Sequence, residues 1–382
     1  MLAAGAAVGA NQALDAAPCT SGRIRRIATE EGFAIPELIE AVSRYMRAHG
    51  DQEPGLPELR NGFPPLERFP WGPPLIDFER RIADMDRDGI DHAVLLVMSP
   101  GIQIFEPAEG LELARLVNDR AAEVARRYPG RFTPLAALAP QAPEAAAQEL
   151  ERAVRSLGMK GGIINSHTKG EYLDDRRFWP IFAAAQALEV PIYLHPREPS
   201  PRMLAPYLDF GLSGAMWGYA AETGLHALRL ILAGVFDEFP RLRLVLGHLG
   251  EGIPYYLDRI DNRYRAQPRL VPTSSQLQRL PSEYFREHFW ITSSGANWAP
   301  AVRFCQQVLG VDRVLFAVDY PFEDQPATVA QAMAIPMPAT EQESFFHGNA
   351  ERVFGIAPVT RTRLAGPAPP RPGSPRRGAT AA

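Results

Sequence analysis

The chain has 382 residues, of which 46% are hydrophobic and 22% charged, the balance of a soluble globular protein. A net charge of −4 and a pI near 6.1 give nucleic acid or an anionic membrane nothing to hold. No uninterrupted apolar run approaches the roughly 18 residues of a membrane span, and two cysteines, Cys19 and Cys305, rule out a disulfide framework.

In chain order, residues 1–25 read as a disordered leader or the apolar remnant of an export signal, because the stretch from Met1 to Ala10 lacks a basic start. From 26 to 357, strand-like and helix-like patterns alternate, as expected of a parallel α/β fold. The predicted strands are 26–33, 92–99, 132–140, 161–167, 191–195, 242–248, 289–295 and 314–319. Runs such as Ala93-Val-Leu-Leu-Val-Met98 suit strands buried on both faces. Helices are predicted over 77–88, 109–128, 143–157, 178–189, 222–239 and 298–309; in the last, Cys305 shares the apolar stripe of Val302, Val308 and Leu309 and reads as a core thiol. Residues 34–76 and 197–221 read as long loops that leave strand ends and can cover a mouth. Residues 358–382 read as a disordered Pro-rich tail. Eight strands with interleaved helices fit a (β/α)8 TIM-type barrel. An open doubly wound sheet is the alternative, but no Gly-rich turn follows the first strand to support it.

Four chemistry-bearing residues fall in or at the ends of these runs: Glu30, His195, His248 and Asp319. Barrel strands converge at their C-terminal ends, so residues far apart in sequence meet around one mouth. Two carboxylates and a neutral imidazole form a relatively hard set for a divalent cation, suited to Mn²⁺ at least as well as Zn²⁺. Glu31 follows Glu30, and only one of the two can face the barrel axis; alternation alone does not choose between them. His248 either ligates or, the preferred reading, orients a ligand or water together with Glu251 three residues on. His226 is either a structural cap or a substrate contact, and His167 ends a strand without an evident partner. Arg259 is either a surface helix residue or a bidentate reader of a substrate carboxylate, with Arg68 a weaker candidate. Trp71, Trp217, Trp298 and Phe322 are candidate aromatic walls.

The chain resembles the amidohydrolase-superfamily decarboxylases of aromatic acids, most of all the 5-carboxyvanillate decarboxylases. The resemblance is carried in matching order by Arg26-Ile-Ala-Thr-Glu-Glu-Gly-Phe33, Arg81-Ile-Ala-Asp-Met-Asp86, Ile164-Asn-Ser-His-Thr168, Tyr193-Leu-His-Pro196, Glu222-Thr-Gly-Leu-His226, Gly247-His-Leu-Gly-Glu251, Phe304-Cys-Gln-Gln307 and Asp319-Tyr-Pro321. It implies one divalent ion per chain, Mn²⁺ favoured and Zn²⁺ the alternative, on Glu30 (hence not Glu31), His195 and Asp319, with no organic cofactor. It also implies that Asp319, His248 and His226 act on the substrate, while Arg259, Arg68, Phe322 and Glu251 surround it. The γ-resorcylate decarboxylases carry a metal-binding His two residues after the matching Glu; Gly32 stands there, as in the carboxyvanillate type. Phe322 stands where that type has a Tyr, removing one phenolic hydrogen bond. The implied reaction is non-oxidative decarboxylation of an ortho-hydroxybenzoate. The rivals are a metal-dependent hydrolase of the same superfamily, against which Gly32 speaks, and an inactive barrel that binds aromatic acids. The implied setting is cytoplasmic, with export on a truncated signal the alternative, and the implied assembly is a homodimer or higher homo-oligomer.

Overall fold

Short apolar runs rich in Val, Ile, Leu and Ala form parallel strands, all lying between helices whose apolar stripes cover them. The structure, a computed structural model, describes residues 23–266 and 277–358. The expected leader and tail therefore lie outside the described residues, except for their inner ends. There Arg23 pairs with Asp91, and Arg25 with Glu351 at 2.5 Å.

The strands are β1 (Ile27–Phe33), β2 (His92–Val97), β3 (Phe132–Pro134), β4 (Ala136–Ala137), β5 (Gly162–Asn165), β6 (Ile192–His195), β7 (Leu244–Leu246), β8 (Phe289–Thr292) and β9 (Val314–Leu315). All pair in parallel, in the orders β1-β2-β3 and β4-β5-β6-β7-β8-β9. β3 and β4 are two halves of the single predicted strand 132–140. The chain changes partner between them: Leu135 N–H donates to Leu95 at 3.0 Å and Ala136 N–H to Gly161 at 2.8 Å. Across the remaining seam, Thr29 N–H donates to Phe316 at 3.1 Å and Gly32 N–H to Tyr320 at 2.7 Å. With β3 and β4 counted once, the eight strands make the expected (β/α)8 barrel. β2 is buried along its whole length, as its continuous apolar run implies.

Two expectations need correction. The stretch 34–76 is not a plain loop: it opens with a helix, Pro36–His49, and ends with the short helix Gly72–Ile76. Leu38, Ala41, Val42 and Met46 carry the first helix's buried stripe, a signal that the flanking prolines obscured. The predicted helix 222–239 instead runs Gly218–Leu232 and then Val235–Glu238, broken at Gly234 with φ 78°. Several strands also stop short of their predicted C-terminal ends, because Ser166 (φ 42°), His248 (φ 47°) and Asp319 (φ 74°) turn the chain into the mouth there.

One buried histidine below the mouth gives the fold an acid-sensitive point. His92, at the start of β2, bonds Gly130 O at 2.9 Å and Thr133 Oγ1 at 2.8 Å, and burial pushes it down from 6.5 to about 4. The unfolded chain therefore binds the extra proton first. Stability is full above pH 6.5 and is lost as pH falls towards 4, by about 3 kcal/mol at this site. In urea titrations at pH 7 and pH 4.5, His92→Gln should narrow the stability gap between the two pH values by roughly that amount. An unchanged gap would show that His92 carries none of the acid sensitivity.

Candidate metal centre and active site

Glu30 and Glu31 leave β1 on opposite sides, and the structure separates their duties. The Glu30 carboxylate is buried within the barrel, where Oε2 accepts a hydrogen bond from Thr292 Oγ1 at 2.5 Å. Thr292 accepts in turn from the buried Tyr193 hydroxyl at 3.3 Å, so a chain of hydroxyls fixes the carboxylate's rotation. Glu31 points to the seam and accepts from the backbone N–H of Val318 and Tyr320.

His195 ends β6. Its Nδ1 donates to Asn165 Oδ1 at 2.7 Å, which places the proton there and leaves the Nε2 lone pair facing Glu30 Oε1 at 3.6 Å. Burial holds this imidazole down at about 4, so it is neutral at physiological pH. Glu30 Oε1 is buried and has no hydrogen-bond partner. Two lone-pair donors thus face each other with no proton between them, an arrangement that a cation resolves and that otherwise leaves an uncompensated buried acceptor. Asp319 completes the group: one ligand atom from each of Glu30, His195 and Asp319 lies within 4.8 Å of the others. The residues present fit a small divalent ion.

His248 sits beside this cluster. Its Nε2 lies 3.8 Å from Glu30 Oε1 and 3.7 Å from Asp319 Oδ2, and its Nδ1 lies 3.0 Å from Glu251 Oε1. Burial would depress it, but Glu251, Glu30 and Asp319 together outweigh burial and raise it well above 6.5, which keeps the ring charged. The backbone that presents it is unusual. From His248 to Glu251, and on to Gly252, every φ is positive: 47°, 54°, 72°, 55° and 78°. A left-handed turn of this kind is unfavourable for residues with a Cβ, and it aims His248 and Glu251 at each other.

The remaining candidates divide. Phe322 stands beside Trp71 (ring centroids 5.8 Å apart), and Trp71 stacks on Phe69 at 4.5 Å, giving a three-ring wall. A Cβ on Gly32 would meet Phe322 Cε2 at 3.0 Å, so the ring occupies the space a side chain at 32 would enter. Arg259 lies on the exposed helix Ile253–Ala266 and borders a groove of about 640 Å³ that it shares with Trp217, His248 and Glu251. Trp298 lines a second hollow on the other side of His248. Arg68 ends the turn Leu66–Arg68 and is exposed.

His226 is the main departure from the sequence expectation. Its Nε2 accepts from Leu173 N–H at 2.9 Å and its Nδ1 pairs with Ser166 Oγ at 3.1 Å, so neither ring nitrogen is free for a substrate. It braces the turn at Ser166 instead. His167 is likewise committed, to Glu198 O and Gly170 N–H. The sequence reading missed Asn165 and Thr292, which orient two ligands; both end apolar strands, a position that could have flagged them. It also missed Arg197 and Glu198, two and three residues beyond His195.

A carboxylate within β1, another in the turn after β9 and a neutral histidine ending β6 meet in a parallel barrel, the site of a metal-dependent barrel enzyme. The family model described as "Amidohydrolase" matches residues 56–356, and the chain belongs to that family. It is similar to the γ-resorcylate decarboxylase of Polaromonas sp. (strain JS666 / ATCC BAA-500), 34% identical over 340 residues that cover 87% of this chain and 98% of the relative. Among solved structures it is similar to 5-carboxyvanillate decarboxylase from Sphingomonas paucimobilis (TM-score 0.84, 38% identity, 88% of this chain and 100% of that one). A mutant of the Novosphingobium aromaticivorans DSM 12444 5-carboxyvanillate decarboxylase, with bound manganese and 3-methoxy-4-hydroxy-5-nitrobenzoic acid, superposes at TM-score 0.83, with 40% identity over 87% of this chain and 97% of that one.

Proposed function

We propose that the protein catalyses the metal-dependent, non-oxidative decarboxylation of an ortho-hydroxybenzoate of the 5-carboxyvanillate kind. The observation that carries this reading is the placement of Asp319: one of its oxygens belongs to the ligand cluster, and Oδ2 lies 3.7 Å from the charged His248. Breaking the ring–carboxylate bond directly would leave an unstable aryl anion. Protonation of the ring carbon that bears the carboxylate gives the electrons of that bond somewhere to go, and CO₂ then leaves. Asp319 delivers the proton, and His248, whose Nε2 is 3.7 Å from Asp319 Oδ2, restores it. Glu30, His195 and Asp319 would hold a divalent ion, Mn²⁺ as in the Novosphingobium structure, which would supply positive charge for the oxygens of an aromatic acid. Phe69, Trp71 and Phe322 offer an apolar aromatic wall for a substrate ring, and Arg259 is the candidate for a second carboxylate. His226 supports the site through the Ser166 turn.

The reading carries a cytoplasmic setting and a homodimer or higher assembly. In favour of assembly, Met216, Trp217, Tyr255, Tyr256 and Trp298 are more than half exposed. No helix among the described residues is long and apolar enough to cross a membrane.

The test is a panel of hydroxylated benzoates with added Mn²⁺, run in D₂O and in ¹⁸O-labelled water. The expected result is CO₂ release with one deuterium at the carbon that carried the carboxylate. Solvent oxygen in the product, with no ring deuterium and no CO₂, would sink the decarboxylase in favour of the hydrolase.

A further inference from the structure

Asp319 has to project into the mouth from a backbone that does not favour doing so. Its φ of 74° is left-handed, a region that residues with a Cβ adopt less readily than glycine does. The chain around it is also out of register with its neighbour. Along the seam that closes the barrel, Thr29 N–H reaches Phe316 O and Gly32 N–H reaches Tyr320 O. Between these two rungs β1 advances three residues while its partner advances four. Regular pairing cannot continue across such a mismatch, and the amides of Val318 and Tyr320 find no backbone acceptor among the described residues.

The Glu31 carboxylate takes both. Oε1 accepts from Val318 N–H at 3.0 Å and Oε2 from Tyr320 N–H at 3.2 Å. These are the residues on either side of Asp319, so a single buried side chain grips the peptide units flanking the ligand. Arg81 reinforces the grip. It is fully buried, donates to Gly32 O and lies over the Tyr320 ring with its guanidinium carbon 4.5 Å from the centroid.

We infer that Glu31 is the positioning residue for Asp319: its two-oxygen clamp on Val318 and Tyr320 holds the left-handed turn that aims Asp319 at the ion. Among the described residues Glu31 makes its side-chain hydrogen bonds to Val318 and Tyr320 and none to Glu30, His195 or the Asp319 carboxylate. The inference rests on the reading that Asp319 is a ligand. It explains why two adjacent glutamates are needed: Glu30 binds, and Glu31 aims a ligand 288 residues away. Two N–H donors require two acceptor oxygens. A glutamine of the same shape offers one, and turns an NH₂ towards the other amide.

The experiment measures Mn²⁺ affinity in the full chain without substrate, from the free-ion electron paramagnetic resonance signal, together with thermal midpoints. Glu31→Gln should weaken Mn²⁺ binding roughly tenfold or more, the effect of removing a partner that orients a ligand. Thr29→Val removes a bond to Phe316 O from the same seam (2.7 Å) without freeing the Val318 or Tyr320 amides, so it should lower the midpoint and leave affinity unchanged. If Glu31→Gln yields no folded protein, Glu31→Asp, which keeps two oxygens on a shorter stem, should show an intermediate loss. Because Glu31 acts through Asp319, adding Glu31→Gln to Asp319→Asn should cost little further affinity. The inference is overturned by unchanged affinity in the folded Glu31 variant, by an equal loss in Thr29→Val, or by full additivity in the double variant. An unchanged affinity in Asp319→Asn alone would instead remove Asp319 from the ligands.

Discussion

Asp319→Asn is expected to abolish measurable turnover. The amide cannot supply a proton to the ring, and it is a poorer ligand for a hard cation than the carboxylate it replaces. Loss of general-acid function alone commonly removes about 10²–10⁴ in rate, and loss of a ligand adds to it. The two contributions separate if metal content and single-turnover rate are measured on the same preparation. With Mn²⁺ restored to saturation, a variant that still fails to exchange ring deuterium has lost the proton donor. A variant that recovers wild-type turnover under saturation would remove Asp319 from the chemistry and leave it a ligand only.

Arg197→Met is expected to have the largest effect on stability. Arg197 lies two residues after His195 at the end of β6 and is completely buried. Its Nη2 pairs with Glu53 at 3.0 Å, its Nε with Glu198 at 3.0 Å, and its Nη1 donates to His167 O at 3.4 Å. Glu53 belongs to the long segment after β1, so this arginine ties that segment to the mouth. Removing it strands two buried carboxylates, a loss of about 3–5 kcal/mol where one partner of a buried pair is deleted. The exposed pair Arg120–Glu37, also 3.0 Å apart, is the control, because its solvated geometry should contribute less than about 1 kcal/mol. Urea midpoints of Arg197→Met and Arg120→Ala would compare them directly. Adding Glu53→Gln and Glu198→Gln to Arg197→Met should recover part of the loss; no recovery would mean that packing of the guanidinium, rather than its charge, holds the segment.

The barrel could be read from the sequence because its strands are short apolar runs at regular intervals, and a run such as Ala93–Val97 has few other uses. The candidate ligand group could be proposed because His195 and Asp319 end predicted strands, Glu30 lies within another, and the resemblance joined the three. What could not be read was the orientation that tertiary contacts impose. Nothing in the spacing of His226 reveals that Leu173 and Ser166 claim both its nitrogens. Likewise Gly32 and Phe322, two separate departures from the γ-resorcylate and carboxyvanillate patterns by sequence, prove to be neighbours, with the ring filling the room the missing side chain leaves. Alternation alone did not separate Glu31 from Glu30; the resemblance chose Glu30, and what Glu31 does became visible only with its partners Val318 and Tyr320 beyond β9. The helix Pro36–His49 was hidden because prolines dominate the segment that follows it.

The left-handed run from His248 to Gly252 has a mechanical consequence. Glycine adopts that hand freely at 250 and 252, but Leu249 and Glu251 hold it only because β7 and the helix Ile253–Ala266 anchor the two ends. The turn is therefore wound against its own chirality, with torsional energy on the order of a few kcal/mol kept in tension by its anchors. Loosening either anchor would let it rewind towards the right-handed form and swing the imidazole away from Asp319. The address of the charged histidine is written in the torsion of five peptide units, and the rigidity of the surrounding barrel keeps it there.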